Sequence, residues 1–197
     1  GPFPVIMQRT PYNKETAALS LQQTDVFRAV RRGYAVVNQD VRGRYRSDGT
    51  FHPFHQEIND GYDAVEWAAK LPGANGKVGL IGHSDEGRLA WYAAVSAPPH
   101  LAAIAPSAAT SDPWRIVPYA AMAFGPINIS WACMMRDRNM ATNGADLEIG
   151  EAITHLPLSA LPARLGCAPN AIWDRWIAHP TLDAFWRARA VTTYIDK

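Results

Sequence analysis

One stretch of the sequence has the residue types and spacing for nucleophilic chemistry: Gly79-Leu80-Ile81-Gly82-His83-Ser84-Asp85-Glu86-Gly87. A short apolar run leads into a serine with glycines on either side, and a helix-forming segment follows. A serine at a sharp strand-to-helix turn projects its hydroxyl above the sheet. The helix N-terminus behind it then offers partial positive charge and a free backbone N–H to a developing oxyanion. The reaction such a turn supports is acyl transfer, with Ser84 attacking and the N–H of Asp85 holding the oxyanion. Small residues beside the serine let strand and helix approach, which gives Gly82 a role. The competing expectation is plainer: Gly-x-Ser turns also serve as ordinary helix caps.

A serine hydroxyl is a poor nucleophile near neutral pH without a base in hydrogen-bond reach. The six histidines are His52, His55, His83, His100, His155 and His179. His83 adjoins Ser84, but neighbours on such a turn point apart. His155 and His179 fall in a later region that could fold over the turn. His52-x-x-His55 with Glu57 nearby has a spacing known from metal sites, yet no third ligand accompanies it, so it is read as a loop. No metal or other cofactor is expected. Asp40 and Arg42 read as a structural pair that locks a loop.

These residues need a scaffold, and residues 1 to about 110 read as strands alternating with helices. Val5-Ile6-Met7 is a short apolar strand, and Thr24 to Arg32 a helix with Val26, Phe27 and Val30 on one face and Gly33 as its stop. Tyr34–Asn38 is a second strand. Ile58, Tyr62, Val65 and Ala69 recur at helical spacing, with Asp60 and Asp63 near the first turn. Val78–Ile81 is a third strand, Asp85 to about Ser96 a helix, and Leu101–Ala105 a fourth strand. Apolar strands separated by helices imply an α/β protein: a central parallel sheet with helices on both faces. From Asp112 the strand signal stops. Residues 112 to 190 are rich in Trp, Met, Ala and Pro and read as short helices forming a cap, broken at Pro126, Pro157, Pro162, Pro169 and Pro180. Their aromatic and Met content is read as packing.

Composition narrows the function classes. The chain of 197 residues is 48% hydrophobic, too apolar for disorder and sufficient for one compact core with an inserted subdomain. Nineteen Lys and Arg balance 18 Asp and Glu, so nucleic acid and anionic membrane are not expected as partners. The Arg28, Arg31, Arg32, Arg42, Arg44 and Arg46 cluster is read as a solvated helix end plus an internally paired loop. No run approaches a membrane span, no signal peptide is visible, and Cys133 and Cys167 form no CxxC. Free buried thiols and a cytoplasmic location are the corresponding expectations.

The ordered motifs resemble the cocaine esterase, X-prolyl dipeptidyl aminopeptidase and α-amino-acid ester hydrolase family of α/β-hydrolases. That family's elbow is G-x-S-Y-x-G, which Gly82-His83-Ser84-Asp85-Glu86-Gly87 matches in spacing, with Asp85 in place of the Tyr. Arg9-Thr10-Pro11-Tyr12 is similar to its R-x-P-Y, whose tyrosine hydroxyl donates to the oxyanion, so the resemblance implies that role for Tyr12. The stretch from Gly33 to Arg44 resembles its GYAVV-x-QD-x-RG signature, Ser47-Asp48-Gly49 and the Asp60/Asp63/Trp67 helix follow in order, and His179-Pro180 with Trp186 resembles the later cap. The family pattern also has two strands before Val5, and strands after the cap whose loops carry the catalytic Asp and His. The chain is therefore expected to be an internal segment: a truncated α/β-hydrolase core at 1–111, a helical cap at 112–190 and a tail at 191–197 entering the rest of the core.

Three functions follow for comparison. The first is a serine hydrolase of carboxylic esters, and of amides by the same chemistry, acting on a small-molecule ester through an acyl-enzyme on Ser84. Its base would be a histidine of this chain or of another. The second is an inert remnant of such an enzyme, and the third an interaction module that completes a partner chain. Uncovered sheet edges lead to an expected homo-oligomer.

Overall fold

The structure is a computed structural model that describes residues 1–19, 25–118, 124–141 and 147–195. It divides into two compact units, Gly1–Ser111 with the chain end from Tyr194, and Asp112–Thr193.

In the first unit, β1 (Phe3–Thr10), β2 (Ala35–Asp40), β3 (Ala74–His83) and β4 (Leu101–Ser107) form one parallel sheet in the order β2-β1-β3-β4. It is the order that the family resemblance implies for these strands. α1 (Lys14–Leu19) and α2 (Val26–Arg31) join β1 to β2, α3 (Glu57–Ala68) joins β2 to β3, and α4 (Asp85–Val95) joins β3 to β4. The chain steps one way from β1 to β2, then back past β1 to β3. With right-handed crossovers, α1 and α2 must then lie on one face and α3 and α4 on the other.

The core on the α3–α4 side is built from Val5, Met7, Val65, Val78 and Leu80 with the alanines 64, 68, 90 and 93, all buried. Small residues set the helix spacing. A Cβ on Gly61 would stand 2.8 Å from the Cα of Ala93, so α3 and α4 approach as closely as backbones allow. Val65 and Ala69 are buried as expected, but the rest of the buried stripe of α3 falls on Glu57, Gly61, Ala64 and Ala68 rather than on Ile58 and Tyr62, and Tyr62 is 38% exposed. α2 differs as well. It is capped by Asp25, whose carboxylate accepts from the Arg28 N–H, and it buries only Ala29. Phe27 and Val30, expected inside, are 70% and 55% exposed, because a one-turn contact through Ala29 seats the helix. Thr24, the expected start of this helix, lies outside the described residues.

The second unit consists of a 3-10 turn at Pro113–Arg115 and the helices α5 (Pro126–Met135), α6 (Ile149–Ala152), α7 (Leu161–Arg164), α8 (Ala171–Ile177) and α9 (Ala184–Arg187), with 3-10 turns at Leu158–Ala160 and Val191–Thr193. Residues 119–123 and 142–146 of the expected helical region lie outside the described residues. Its aromatic residues pack: Trp173 and Trp186 are fully buried, and Trp131 stacks on Trp176. Buried Asn170 ties two helices together, capping α8 through the Trp173 N–H and donating to the Ala132 carbonyl of α5. Asp183 caps α9 and pairs with His179 Nδ1, while the Trp186 indole donates to the His179 carbonyl.

Cys133 on α5 and Cys167 after α7 are joined in a disulfide, their Cα atoms 5.4 Å apart. This corrects the expectation of free thiols. The pair is 34 residues apart in sequence, and only the packing of α5 beside α7 brings it together. Disulfides persist in oxidising compartments, so the cytoplasmic expectation loses the support that free thiols lent it.

Closing a loop of this length removes roughly 3–4 kcal/mol of chain entropy from the unfolded state. Denatured, unreduced protein is therefore expected to show no thiol by colorimetric titration, and reduced protein two. The Cys133→Ala/Cys167→Ala variant should melt several degrees lower. A full thiol titre before reduction would contradict the bond.

Candidate active site

The Ser84 turn begins where β3 ends. Ser84 has φ 56° and ψ −123°, a region that L-residues avoid and that costs on the order of 1–3 kcal/mol. Its N–H donates to the Ser107 carbonyl of β4 at 2.9 Å, and its own carbonyl accepts from the Arg88 N–H at 3.2 Å. The backbone is thus held at both ends in its strained state. The side chain makes no capping hydrogen bond, is exposed, and has no partner among the described residues. A serine that only capped α4 would have spent its hydroxyl on the helix.

The two glycines explain the spacing. A Cβ on Gly82 would collide with the backbone carbonyl group of Glu86, and one on Gly87 would stand 2.8 Å from both the Ala109 Cβ and the Gly82 carbonyl oxygen. The turn is tight enough that strand and helix touch backbone to backbone across it.

Asp85 opens α4, and its N–H is one of the donors a helix leaves unused; no described residue accepts from it. Its carboxylate is buried and paired with Arg88 Nη1 at 2.8 Å, while the Arg88 guanidinium lies 4.2 Å from the Phe54 ring centre. Burial raises the Asp85 pKa, partly opposed by Arg88 and reinforced by neighbouring Glu86. His83 Nδ1 lies 2.9 Å from Ser107 Oγ, so its ring is engaged across the sheet with β4.

Tyr12 stands in the turn after β1. Met7 of β1 pairs with Leu80 of β3, so three residues further on each strand reaches Thr10 and His83, and the two turns leave the same sheet edge side by side. They occupy the place where crossover direction reverses, at the carboxyl ends of neighbouring parallel strands, where ligands bind in open α/β sheets. The Tyr12 N–H donates to Thr10 Oγ1 at 3.1 Å, and Asn13 takes φ 85°.

Asp40 and Arg42 do not pair, contrary to the reading from sequence. Arg42 reaches Asp60 of α3, with Nε 2.8 Å from Oδ2, while the buried Asp40 turns to the Tyr12 turn and accepts from the Lys14 N–H at 2.7 Å. β2 ends at Asp40, so Arg42 lies in the loop beyond it and is carried to α3, and nearness in sequence does not make the two a pair. A cavity of about 360 Å³ lies beside β2, lined by Arg9, Gln39, Arg42, Asp60 and Trp67 among others; neither Ser84 nor Tyr12 borders it.

Sequence reasoning passed over Glu57 as a buried charge. It opens α3, is 2% exposed, and faces Arg9 of β1, whose Nη2 lies 3.2 Å from Oε2 without an aligned hydrogen bond. Burial pushes its pKa up to about 7, against the pull of Arg9 and with help from Asp60 and Asp85. Its Glu-x-x-Asp spacing at a helix start was the signal available. Because the folded-state pKa lies above the ordinary value of 4.5, the folded chain holds a proton that the unfolded chain releases between about pH 4.5 and 7. The stability linked to that proton is complete below the lower value and is lost as pH rises through the upper one. Urea melts at pH 5 and 7.5 are expected to show this loss in wild type, on the order of a few kcal/mol at most, and a flatter slope in Glu57→Gln. An unchanged slope in the variant would assign the pH dependence elsewhere.

Comparisons with known proteins place the fold and the family. Cocaine esterase of Rhodococcus sp. (strain MB1 Bresler) is 32% identical over 207 aligned residues, covering 95% of this chain and 36% of that protein. An α-amino acid ester hydrolase structure superposes with TM-score 0.81 at 24% identity, and an aminopeptidase from a marine sediment Thaumarchaeota archaeon with TM-score 0.79 at 24% identity. Each superposition covers 98% of this chain and 36% of the other. The fold is that of the α/β-hydrolases, and the chain spans about a third of the length of these relatives. The family model for X-Pro dipeptidyl-peptidase (S15 family) matches residues 1–197. Matched by that model from end to end, the chain belongs to the X-Pro dipeptidyl-peptidase (S15) family.

Proposed function

We propose that this chain carries the nucleophile and the oxyanion donors of a serine hydrolase that cleaves carboxylic esters, and amides by the same route. The observation that carries the reading is Ser84: a strained residue whose hydroxyl is exposed and committed to nothing, at the ligand-binding edge of the sheet. Strain persists only where the surroundings enforce it, and here two backbone hydrogen bonds and two glycine contacts do so. The names of the relatives divide between ester and peptide substrates, and both bonds yield to the same acyl transfer.

Ser84 Oγ adds to the acyl carbon as a base takes its proton. The carbonyl oxygen becomes an oxyanion that accepts from the Asp85 N–H, at the positive end of α4, and from the Tyr12 hydroxyl. Collapse expels the alcohol or amine with that proton and leaves an acyl group on Ser84. Water, deprotonated by the same base, then releases the acid. The base is a histidine of this chain or one supplied by another chain; His83 is engaged with Ser107.

Hydrolysis of a short-chain p-nitrophenyl ester is expected in wild type and should fall by about a thousandfold or more in Ser84→Ala. Equal rates in both, or none in either, would leave the turn as architecture and favour an inert relative. We also propose self-association through the sheet edges, since the outer sides of β2 and β4 carry no strand among the described residues. Light scattering across micromolar concentrations should give a mass above 21.6 kDa; a clean monomer would refute it.

A further inference from the structure

We propose that Arg44 and Asp40, from the loop after β2, are positioning residues for Tyr12. The inference rests on the reading of Tyr12 as an oxyanion donor. One loop reaches the backbone on both sides of that residue. Before it, the Val41 N–H donates to the Thr10 carbonyl at 3.0 Å, and Arg44 Nε donates to the Pro11 carbonyl at 2.9 Å. After it, Asp40 Oδ1 accepts from the Lys14 N–H at 2.7 Å. The Pro11 carbonyl belongs to the peptide plane that carries the Tyr12 nitrogen. Arg44 therefore fixes the plane from which the tyrosine departs, and Asp40 fixes where the chain goes next.

The loop itself is held hard. Ser47 Oγ donates to the Asp40 carbonyl at 2.6 Å, and the Arg46 N–H approaches Asp40 Oδ2 at 3.5 Å. Gly43 takes φ 75° where a Cβ would run into the backbone of Thr50 and Phe51, and Arg42 anchors to Asp60. The Arg44 guanidinium lies over the rings of Tyr45 and Phe51, 5.3 and 5.4 Å from their centres. Arg44 is fully buried and Asp40 is 2% exposed. Burying charges is costly, and apolar side chains could pack such a loop without that cost. What a charged fork and a carboxylate add is direction: both spend hydrogen bonds on the backbone flanking Tyr12, which itself stays only partly buried.

The test is a set of double-mutant cycles. Arg44→Lys and Asp40→Asn are each made in wild type and in Tyr12→Phe, and ester hydrolysis, melting temperature and amide exchange at Lys14 are measured. Tyr12→Phe alone should lower kcat about a hundredfold. Arg44→Lys and Asp40→Asn should each lower kcat about tenfold with KM within about twofold, speed Lys14 exchange, and cost nothing further in the Tyr12→Phe background. Losses that persist in that background, or that fall on KM, would overturn the positioning role while leaving Tyr12 in place. A neutral Tyr12→Phe, or a wild type without turnover, would instead remove the reading beneath it, and the proposal with it. Should Arg44→Lys not fold, the Asp40→Asn cycle decides alone.

Discussion

The site depends on a reversal of direction in the sheet. The chain leaves β1 for β2 on one side and returns past β1 to β3 on the other, so the turns after β1 and β3 part to opposite faces and leave an opening between them. Tyr12 stands in one turn and Ser84 in the other. Neither residue would face an opening if β3 lay beyond β2. The same reversal puts α3 and α4 on a common face, where Gly61, Ala64, Ala90 and Ala93 let them pack closely enough for α4 to begin right under Ser84.

Around this opening the interior is unusually charged. Arg9 and Glu57, Arg44, Asp40 and Asp85 are all buried within the first unit, Asp85 against a half-buried Arg88. Apolar residues of similar volume in place of buried ion pairs are often neutral or stabilising. Each charge instead directs a hydrogen bond or an ion pair at a segment bearing on the two turns. The second unit handles its polar groups otherwise: Asn170 and Asp183 cap helices that are too short to hold themselves, and the disulfide closes the segment between α5 and α7.

Much of the fold was legible because it is written locally. Continuous apolar strands, Gly33 as a helix stop and the 82/84/87 spacing each report on a few neighbouring residues, while the order of the strands came only with the family resemblance. What failed was tertiary. Ile58 and Tyr62 have the better hydrophobic spacing, but Gly61 decides which face of α3 can come close to α4. Phe27 and Val30 look like core, yet Ala29 is the contact. Asp40 and Arg42 are near in sequence and opposite in partner choice, and Cys133 meets Cys167 only through helix packing. At the site, Ser84 could be named from its turn and Tyr12 only from the resemblance. The burial of Glu57 and the reach of Arg44 to the Pro11 carbonyl belong to packing that spacing does not encode.

The central claim is that Ser84 is a reactive nucleophile rather than a structural turn residue. Incubation with an alkyl fluorophosphonate, followed by peptide mass mapping, tests it most directly. A single stoichiometric adduct on Ser84 is expected. No adduct, or one on another residue with Ser84 unmodified, would contradict it.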